Sequence, residues 1–171
     1  MMSTSKRLDF NEIRKRVETS HQMVTGEGLG GVQTNLLVKY NAWLIHELLS
    51  STLEQFGLSA PGYISMTMIN SAPGQMANPS DMSLCTGETR ANMTRICDDL
   101  VAKGWLQRVT NPNDRRRVDM SLTPDGLSLL KQVIPLARAK NREVFEIFDD
   151  NERATLERLL LKLLTALESH L

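Results

Sequence analysis

Three consecutive arginines, Arg115–Arg117, follow the turn sequence Asn111-Pro112-Asn113-Asp114. Side chains of like charge on one tight turn repel one another unless an anion lies close by, and Asp114 can orient only one of the three. A guanidinium group binds phosphate oxygens through two parallel N–H donors. These residue types therefore predict a turn that contacts a polyanion such as the phosphate backbone of a nucleic acid.

A second set of polar side chains, on a predicted helix earlier in the chain, could read the edges of bases. The set is Glu88, Thr89, Arg90, Asn92 and Arg95. Arginine fits O6 and N7 of guanine, asparagine fits adenine, and threonine reaches a base edge or a phosphate. Such residues also occur on ordinary solvated helices, so the helix alone does not decide the matter. Beside the arginine turn, they predict a surface that binds double-stranded DNA.

The charge of the chain is balanced as a whole but not in this region. The 171 residues contain 20 basic and 20 acidic side chains, a formal net charge of +0. From Arg90 to Arg117 there are seven basic and three acidic side chains, a local excess of +4. A homodimer would carry two such regions, and the doubled field would attract DNA more strongly.

The polar residues lie on a predicted helix–turn–helix. The sequence Asn78-Pro79-Ser80-Asp81 combines a capping residue, a proline at the first helical position and an acidic first turn, so a short helix begins there. Gly87 interrupts that helix. A second helix, from about Glu88 to Lys103, ends at Gly104. Its expected apolar positions are Ala91, Thr94, Ile96, Leu100 and Val101.

Residues 105–122 predict a β-hairpin. The first strand, 105–110, is short and rich in β-forming residues, and the turn residues follow it. Val118, Met120 and Leu122 then alternate with polar residues, which predicts a second strand with one buried face. Helix, turn, helix and hairpin in this order are typical of a winged helix, in which one helix enters the major groove and the hairpin lies beside it.

Helices flank this block on both sides. Toward the N-terminus we expect helices at 9–24 and 34–56, separated by a glycine-rich linker, and a third helix from Ala60 to about Ser71. After the hairpin, Thr123-Pro124-Asp125 begins a helix that reads to about Phe148. We expect Pro135 to kink it.

The last helix has a broad leucine stripe. Asp149 and Glu152 resemble a capping box at its start. The stripe contains Leu156, Leu159, Leu160, Leu163, Leu164 and Leu167. Such a face needs a partner. Packing on its own domain is one solution, but the apolar stripes near the N-terminus favour a homodimer that both terminal regions form.

The predicted fold is mostly α with a small β-hairpin, a winged helix-turn-helix domain plus a helical dimerisation region. We expect N-terminal dimerisation helices at 1–57, the DNA-binding domain at 58–123, and C-terminal dimerisation helices at 124–171.

Three stretches resemble the MarR family (multiple antibiotic resistance regulators). They are Thr94–Arg108, with a helix that ends in Leu-x-x-x-Gly, Asn111–Arg117, with the wing motif Asp-x-Arg, and Leu122–Gly126, which reads Leu-Thr-x-x-Gly. Order and spacing match between residues 94 and 126, about a fifth of the chain. Within the family, residues 89–96 and Pro135 resemble the multidrug-efflux repressors of the EmrR/MprA group.

The resemblance implies an obligate homodimer whose recognition helices enter successive major grooves while the wing arginines enter the flanking minor grooves. By position, the helix contacts are Thr89, Arg90, Asn92, Thr94 and Arg95. Arg116 is then the wing arginine, Asp114 positions it, and Arg115 or Arg117 lies near phosphate. The operator is expected to be pseudo-palindromic, with half-sites about one helical turn apart.

The resemblance also implies release of DNA by a small aromatic or phenolic effector that binds between the dimerisation and DNA-binding lobes. The expected wall residues are Trp43, His46, Met66, Met68, Ile69 and Met76. Methionine adapts to ligands of many shapes, although each of these residues also fits an ordinary core.

Other classes of protein fit the sequence less well. No catalytic triad or phosphate-binding glycine loop appears, so neither an enzyme nor a cofactor is expected. The three histidines are far apart, and Cys85 and Cys97 have no zinc spacing, so we expect no metal and two reduced thiols rather than a redox switch.

The N-terminus lacks the apolar core of a signal peptide, and no membrane span fits, which favours the cytoplasm. A winged helix used only for protein contacts is an alternative that the arginines argue against.

Overall fold

The computed structural model describes residues 9–110 and 117–170. The protein is mostly helical with one small antiparallel sheet, which confirms the predicted fold class. Within the described residues, no helix has the length and hydropathy needed to cross a membrane. The chain divides into two compact units, Met1–Leu48 and Leu49–Leu171. The elements in chain order are α1 (Phe10–Thr25), α2 (Gly31–Leu53), α3 (Ala60–Ser71), β1 (Met76–Ala77), α4 (Pro79–Thr86), α5 (Arg90–Ala102), β2 (Leu106–Thr110), β3 (Val118–Leu122), α6 (Pro124–Phe145) and α7 (Asp150–Glu168).

The first unit contains α1 and most of α2. The side chain of Asp9 caps the start of α1, and Gly26 ends it in the left-handed conformation at φ 74°. Within this unit the ring centroid of Tyr40 lies 5.4 Å from that of Phe10 and 5.4 Å from that of Trp43. These tilted contacts are in the range that stabilises aromatic pairs.

The bounds of α2 differ slightly from the prediction. The helix begins at Gly31, before the expected residue 34, because the left-handed residue that ends the linker is Gly30, at φ 48°. It ends at Leu53, and a single 3₁₀ turn, Glu54–Phe56, completes the predicted span.

The second unit is built around α3. This helix contacts α4, α5, α6, β1 and β3. The proline at its second position and the Ser59 cap fix its start, as the sequence predicts. Burying one large apolar side chain contributes roughly 1.5–3 kcal/mol, so the core here supplies most of the unit's stability. The largest fully buried apolar side chains are Leu53, Met66, Ile69, Met82, Met93, Cys97, Leu100, Leu106, Leu130 and Val133.

The inward face of α5 was only partly predicted. Ile96 and Leu100 are buried as expected, but Ala91 and Thr94 are exposed. Their places in the core belong to Met93 and Cys97. Residues three, four and seven positions before Leu100 share its face of the helix, and these are Cys97, Ile96 and Met93. Ala91 and Thr94 do not follow this spacing and therefore lie away from the core.

The hairpin is part of a three-stranded sheet in the order β1-β3-β2. Strands β2 and β3 pair antiparallel, from Leu106 with Leu122 to Thr110 with Val118. The predicted alternation along β3 is wrong at its start, where Val118 is exposed and Asp119 is buried. Asn78, at the start of α4, lies against this end of β3 and donates to the carbonyl of Val118 and to the carboxylate of Asp119, while β1 pairs with Met120 and Ser121.

The two C-terminal helices begin where the sequence predicts. Thr123 caps α6, which runs without interruption through Pro135 and ends at Phe145, three residues before the expected end. Both bonds of the Asp149–Glu152 capping box are present at the start of α7. No side chain of α7 is buried.

Candidate nucleic-acid interface

The turn between α4 and α5 is fixed by local hydrogen bonds. Gly87 ends α4 in the left-handed conformation, at φ 72°, where a side chain would be strained. The Thr86 hydroxyl donates to the carbonyl of Met82 at 2.9 Å and accepts from the backbone N–H of Glu88 at 3.4 Å. The chain therefore enters α5 in one defined direction.

The first residue of the predicted DNA-binding set is the N-cap of α5. The side chain of Thr89 accepts the backbone N–H of Asn92 at 3.1 Å. Its hydroxyl keeps its own proton for an outside acceptor. The hydroxyl of Thr94 donates to the carbonyl of Arg90 at 3.0 Å, so its oxygen can still accept. Both threonines are exposed.

A chain of polar side chains runs along the exposed face of α5. The amide nitrogen Nδ2 of Asn92 donates to Oε2 of Glu88 at 2.5 Å. The amide oxygen Oδ1 of Asn92 accepts from Nε and Nη2 of Arg95, at 3.2 and 3.0 Å. The helical spacing of three residues places Asn92 and Arg95 on one face, and Glu88 reaches Asn92 from just before the N-cap.

The opposite face of α5 is anchored in the core. Met93, Cys97 and Leu100 are at most 1% exposed, and the hydroxyl of Ser65 on α3 lies 3.5 Å from the sulfur of Met93. A rigid support of this kind keeps the polar face in one orientation.

Two arginines of α5 are available for DNA. Among the described residues, neither Arg90 nor Arg95 has a salt bridge, and both are exposed. Lys103 differs, because its Nζ donates to Asp99 at 2.7 Å and to the carbonyl of Gly57 at 2.9 Å. The free positive charge of the helix therefore lies in its first half, the half that enters the groove in helix-turn-helix proteins.

The base of the hairpin is tied to α4 and to α5. Nη2 of Arg117 lies 3.4 Å from Oδ2 of Asp81 in the first turn of α4. Nη2 of Arg108 on β2 lies 2.5 Å from Oδ1 of Asp98 on α5. Of the predicted wing residues, Asp114, Arg115 and Arg116 lie outside the described residues.

Asn78 joins the start of α4 to β3, a role that the sequence analysis missed. Its Oδ1 accepts the backbone N–H of Ser80 as an N-cap, at 2.9 Å. Its Nδ2 donates to the carbonyl of Val118 at 3.1 Å and to Oδ1 of Asp119 at 3.3 Å. The Asn-Pro dipeptide signals the cap, but the bond to a strand 40 residues away has no local signal.

The six predicted effector residues lie in different environments. Trp43 and His46 are exposed on α2, in the first unit. In the second unit, Met66 and Ile69 of α3 are fully buried in the core, whereas Met68 and Met76 are half-buried. The half-buried methionines are thus the members on α3 and β1 that a ligand could reach without displacing the core.

The two cysteines differ in exposure. Cys85 is exposed on α4, whereas Cys97 is buried on α5. Burial raises the pKa of the Cys97 thiol to about 11, and Asp98 contributes to the increase. The thiolate is the reactive form, so Cys97 is a structural thiol, as the sequence predicts. Within the described residues, no three His, Cys, Asp or Glu side chains are grouped to hold a metal ion.

A thiol titration tests this difference. At pH 8 we expect a disulfide reagent to modify Cys85 rapidly and Cys97 only after unfolding, because pH 8 lies well below the raised pKa of Cys97. Counting the thiols that react in native buffer and in denaturant gives the result, and Cys85→Ser assigns the fast thiol. Rapid reaction of both thiols in the native protein would contradict the burial of Cys97.

Comparison with known proteins identifies relatives of this fold. Residues 57–117 match the model of the MarR family. The transcriptional repressor MprA of Escherichia coli K12 is 29% identical over 68% of this chain, and the match spans 66% of MprA, just under two thirds of its length.

Solved structures resemble the chain over most of its length. A mutant of E. coli MarR in complex with operator DNA superimposes with a TM-score of 0.69 at 27% identity, covering 84% of this chain and 97% of that one. Bordetella bronchiseptica BpsR, whose DNA binding is regulated by 6-hydroxynicotinic acid, has a TM-score of 0.68 at 22% identity and covers 78% of this chain and 94% of its own. At that identity the second likeness concerns the fold alone.

Proposed function

We propose that this chain, which belongs to the MarR family of winged-helix regulators, represses transcription by binding a pseudo-palindromic operator as a homodimer. The observation that carries the proposal is the polar face of α5, where Arg90 and Arg95 are exposed and have no salt bridge among the described residues. The relatives are transcriptional regulators, which are not enzymes, and this confirms the prediction that the chain is not an enzyme.

The proposed DNA contacts are those predicted from the sequence. On α5 they are Thr89, Arg90, Asn92, Thr94 and Arg95, all on or beside its exposed first half. In the wing they are Arg115, Arg116 and Arg117, with Asp114 orienting Arg116. The operator complex of MarR supports this arrangement, since the protein in it shares the fold.

The proposed dimer interface comes from the terminal helices. Leu159, Leu160, Leu164 and Leu167 of α7 are 45–54% exposed in the single chain, although leucines of a stable stripe are usually covered. On α2, Leu37, Leu44 and Ile45 are about 40% exposed as well. We therefore assign 1–57 and 124–171 to dimerisation and 58–123 to DNA binding.

We also propose that a small aromatic or phenolic effector releases the DNA, and that the protein acts in the cytoplasm. Regulation of BpsR by 6-hydroxynicotinic acid provides an example of ligand control on this fold. In the second unit the effector would contact Met68 and Met76, while Met66 and Ile69 support these two side chains from the core. A thermal-shift screen of aromatic acids and phenols tests this directly. An increase in melting temperature that the substitution Met68→Ala abolishes would support the site.

The proposed function is tested by mobility shift with the DNA upstream of the protein's own gene. We expect saturable binding at low salt that an excess of unrelated duplex does not remove. Absence of any shift at low salt would contradict the proposal and favour a winged helix that binds proteins.

The wing assignment is tested by Arg116→Ala. The substitution should weaken binding to all duplexes and reduce the slope of log K against log salt by about 1, because the interface loses one positive charge and binding releases fewer counterions. Arg138→Ala is the matched control, since Arg138 is an exposed arginine on α6. An unchanged salt slope in Arg116→Ala would remove this residue from the interface.

A further inference from the structure

Glu88 is the acidic member of the polar chain that leads into α5, and it is not among the proposed DNA contacts. It is half-buried and directly precedes the N-cap of the helix, where the positive end of the helix dipole favours a carboxylate. Its Oε2 accepts Nδ2 of Asn92 at 2.5 Å, a short charge-assisted bond.

The bond to Glu88 determines how the amide of Asn92 is oriented. With Nδ2 held by the carboxylate, Oδ1 faces the opposite way and accepts two N–H groups of Arg95. Rotating the amide by half a turn would place oxygen against oxygen at Glu88 and nitrogen against nitrogen at Arg95. Three repulsive contacts would then replace three hydrogen bonds, so a single orientation is stable.

The same network restricts Arg95. Its Nε and Nη2 donors are engaged by Oδ1 of Asn92, which leaves the donors of Nη1 and the second donor of Nη2 directed away from Asn92. One donor of Nη1 and the remaining donor of Nη2 can bind O6 and N7 of guanine side by side. The guanidinium group therefore presents its Nη1–Nη2 edge to the groove in a fixed orientation. Binding then costs less side-chain entropy than it would for an arginine that is free to rotate.

We propose that Glu88 is a positioning residue that sets the sequence selectivity of α5, a proposal that rests on the proposed binding of DNA. It holds Asn92, and through it Arg95, in the arrangement that meets base edges. Its negative charge opposes nearby phosphates and thus weakens binding to sequences that do not engage the two side chains.

The test compares Glu88→Ala with Glu88→Gln on two duplexes, the upstream DNA and a scrambled duplex of equal length and composition. Both variants lose the charge, so both should bind the scrambled duplex a few-fold more tightly. Only the glutamine keeps an acceptor for Asn92. We expect the ratio of the two dissociation constants to fall about tenfold or more in Glu88→Ala, and Glu88→Gln to recover a large part of it. Glu157→Ala, at an exposed glutamate of α7, controls for loss of one negative charge.

Two results would overturn the proposal. One is an unchanged ratio in Glu88→Ala. The other is an equal ratio in both Glu88 variants, which would mean that charge alone acts. A readout without DNA is the side-chain amide signal of Asn92 in an NMR spectrum, assigned with Asn92→Ala. Its exchange with solvent should accelerate in Glu88→Ala, and an unchanged exchange rate would exclude the orienting role.

The proposed function and the positioning role of Glu88 can be contradicted independently. If the wild-type protein does not distinguish the two duplexes, the proposed function fails while the amide exchange still reports on the network. If it distinguishes them and the variants do so equally well, only the role of Glu88 fails.

Discussion

Replacing Gly126 with alanine is expected to lower the free energy of unfolding by more than about 2 kcal/mol, the range of a severe overpacking substitution. A Cβ atom at this position would lie 2.1 Å from the carbonyl oxygen of Trp105 and 3.2 Å from a methyl group of Leu122. The first contact is with backbone, which cannot rotate away as a side chain could. The same carbonyl of Trp105 accepts the backbone N–H of Thr123 at 3.1 Å, so a displacement would also break the start of α6.

Urea denaturation followed by circular dichroism measures this effect. Gly31→Ala is the matched control, because a Cβ there meets nothing within 4 Å and the backbone φ is not positive. That substitution should be neutral or slightly stabilising, since alanine reduces the freedom of the unfolded chain. Equal denaturation midpoints for Gly126→Ala and the wild type would contradict the close approach of α6 to Trp105.

The double substitution Leu160→Glu with Leu164→Lys is expected to convert the protein to monomers and to lower operator affinity by about a hundredfold or more. Both leucines are about half-exposed in the single chain, at 45% and 50%, so the substitution leaves the core intact. In the proposed interface, it would bury charges, at a cost of several kcal/mol. Glutamate four residues before lysine also stabilises the isolated helix, and the pair adds no net charge. Loss of DNA binding would therefore follow from loss of the dimer, since a monomer meets only one half-site.

Light scattering coupled to size exclusion gives the mass of the variant, and a mobility shift gives its affinity. Leu161→Glu is the control on the same helix, because Leu161 is 63% exposed and lies off the stripe. That variant should remain a dimer. If the double variant also remains a dimer with unchanged affinity, the leucines of α7 do not form the interface.

The elements of the fold could be predicted from sequence because their ends are signalled locally. Asn78-Pro79 and Thr123-Pro124 cap α4 and α6, and Gly87 ends α4, each through contacts within a few residues. Asp149 and Glu152 likewise form the predicted capping box. Signals of this kind depend on short-range chemistry, which a single sequence displays.

What could not be predicted depends on residues that are distant in the chain. Strand β1 has two residues and exists only because Met76 and Ala77 pair with Ser121 and Met120 of β3. The burial of Asp119 accompanies a second long-range contact, in which its carboxylate accepts Nδ2 of Asn78.

The candidate site was predictable by residue type but not by geometry. Thr89, Arg90, Asn92 and Arg95 are on or beside the exposed face of α5, as their pattern indicates. Their mutual contacts could not be predicted, because they depend on side-chain rotamers. In the observed rotamers, Asn92 bonds to both Glu88 and Arg95. Periodicity also misplaced Ala91 in the core, since an alanine fits either face of a helix while the methionine two positions on fills the space.

The double attachment of Asn78 has a mechanical consequence. One side chain holds the first turn of α4 and the start of β3, and the ion pair of Asp81 with Arg117 crosses the same junction. A rotation of α4 is therefore transmitted to the start of β3 directly, as well as to α5, against which α4 packs. A displacement of this short helix would therefore reach the strand and α5 together, so a single signal at α4 would act on both parts of the proposed interface.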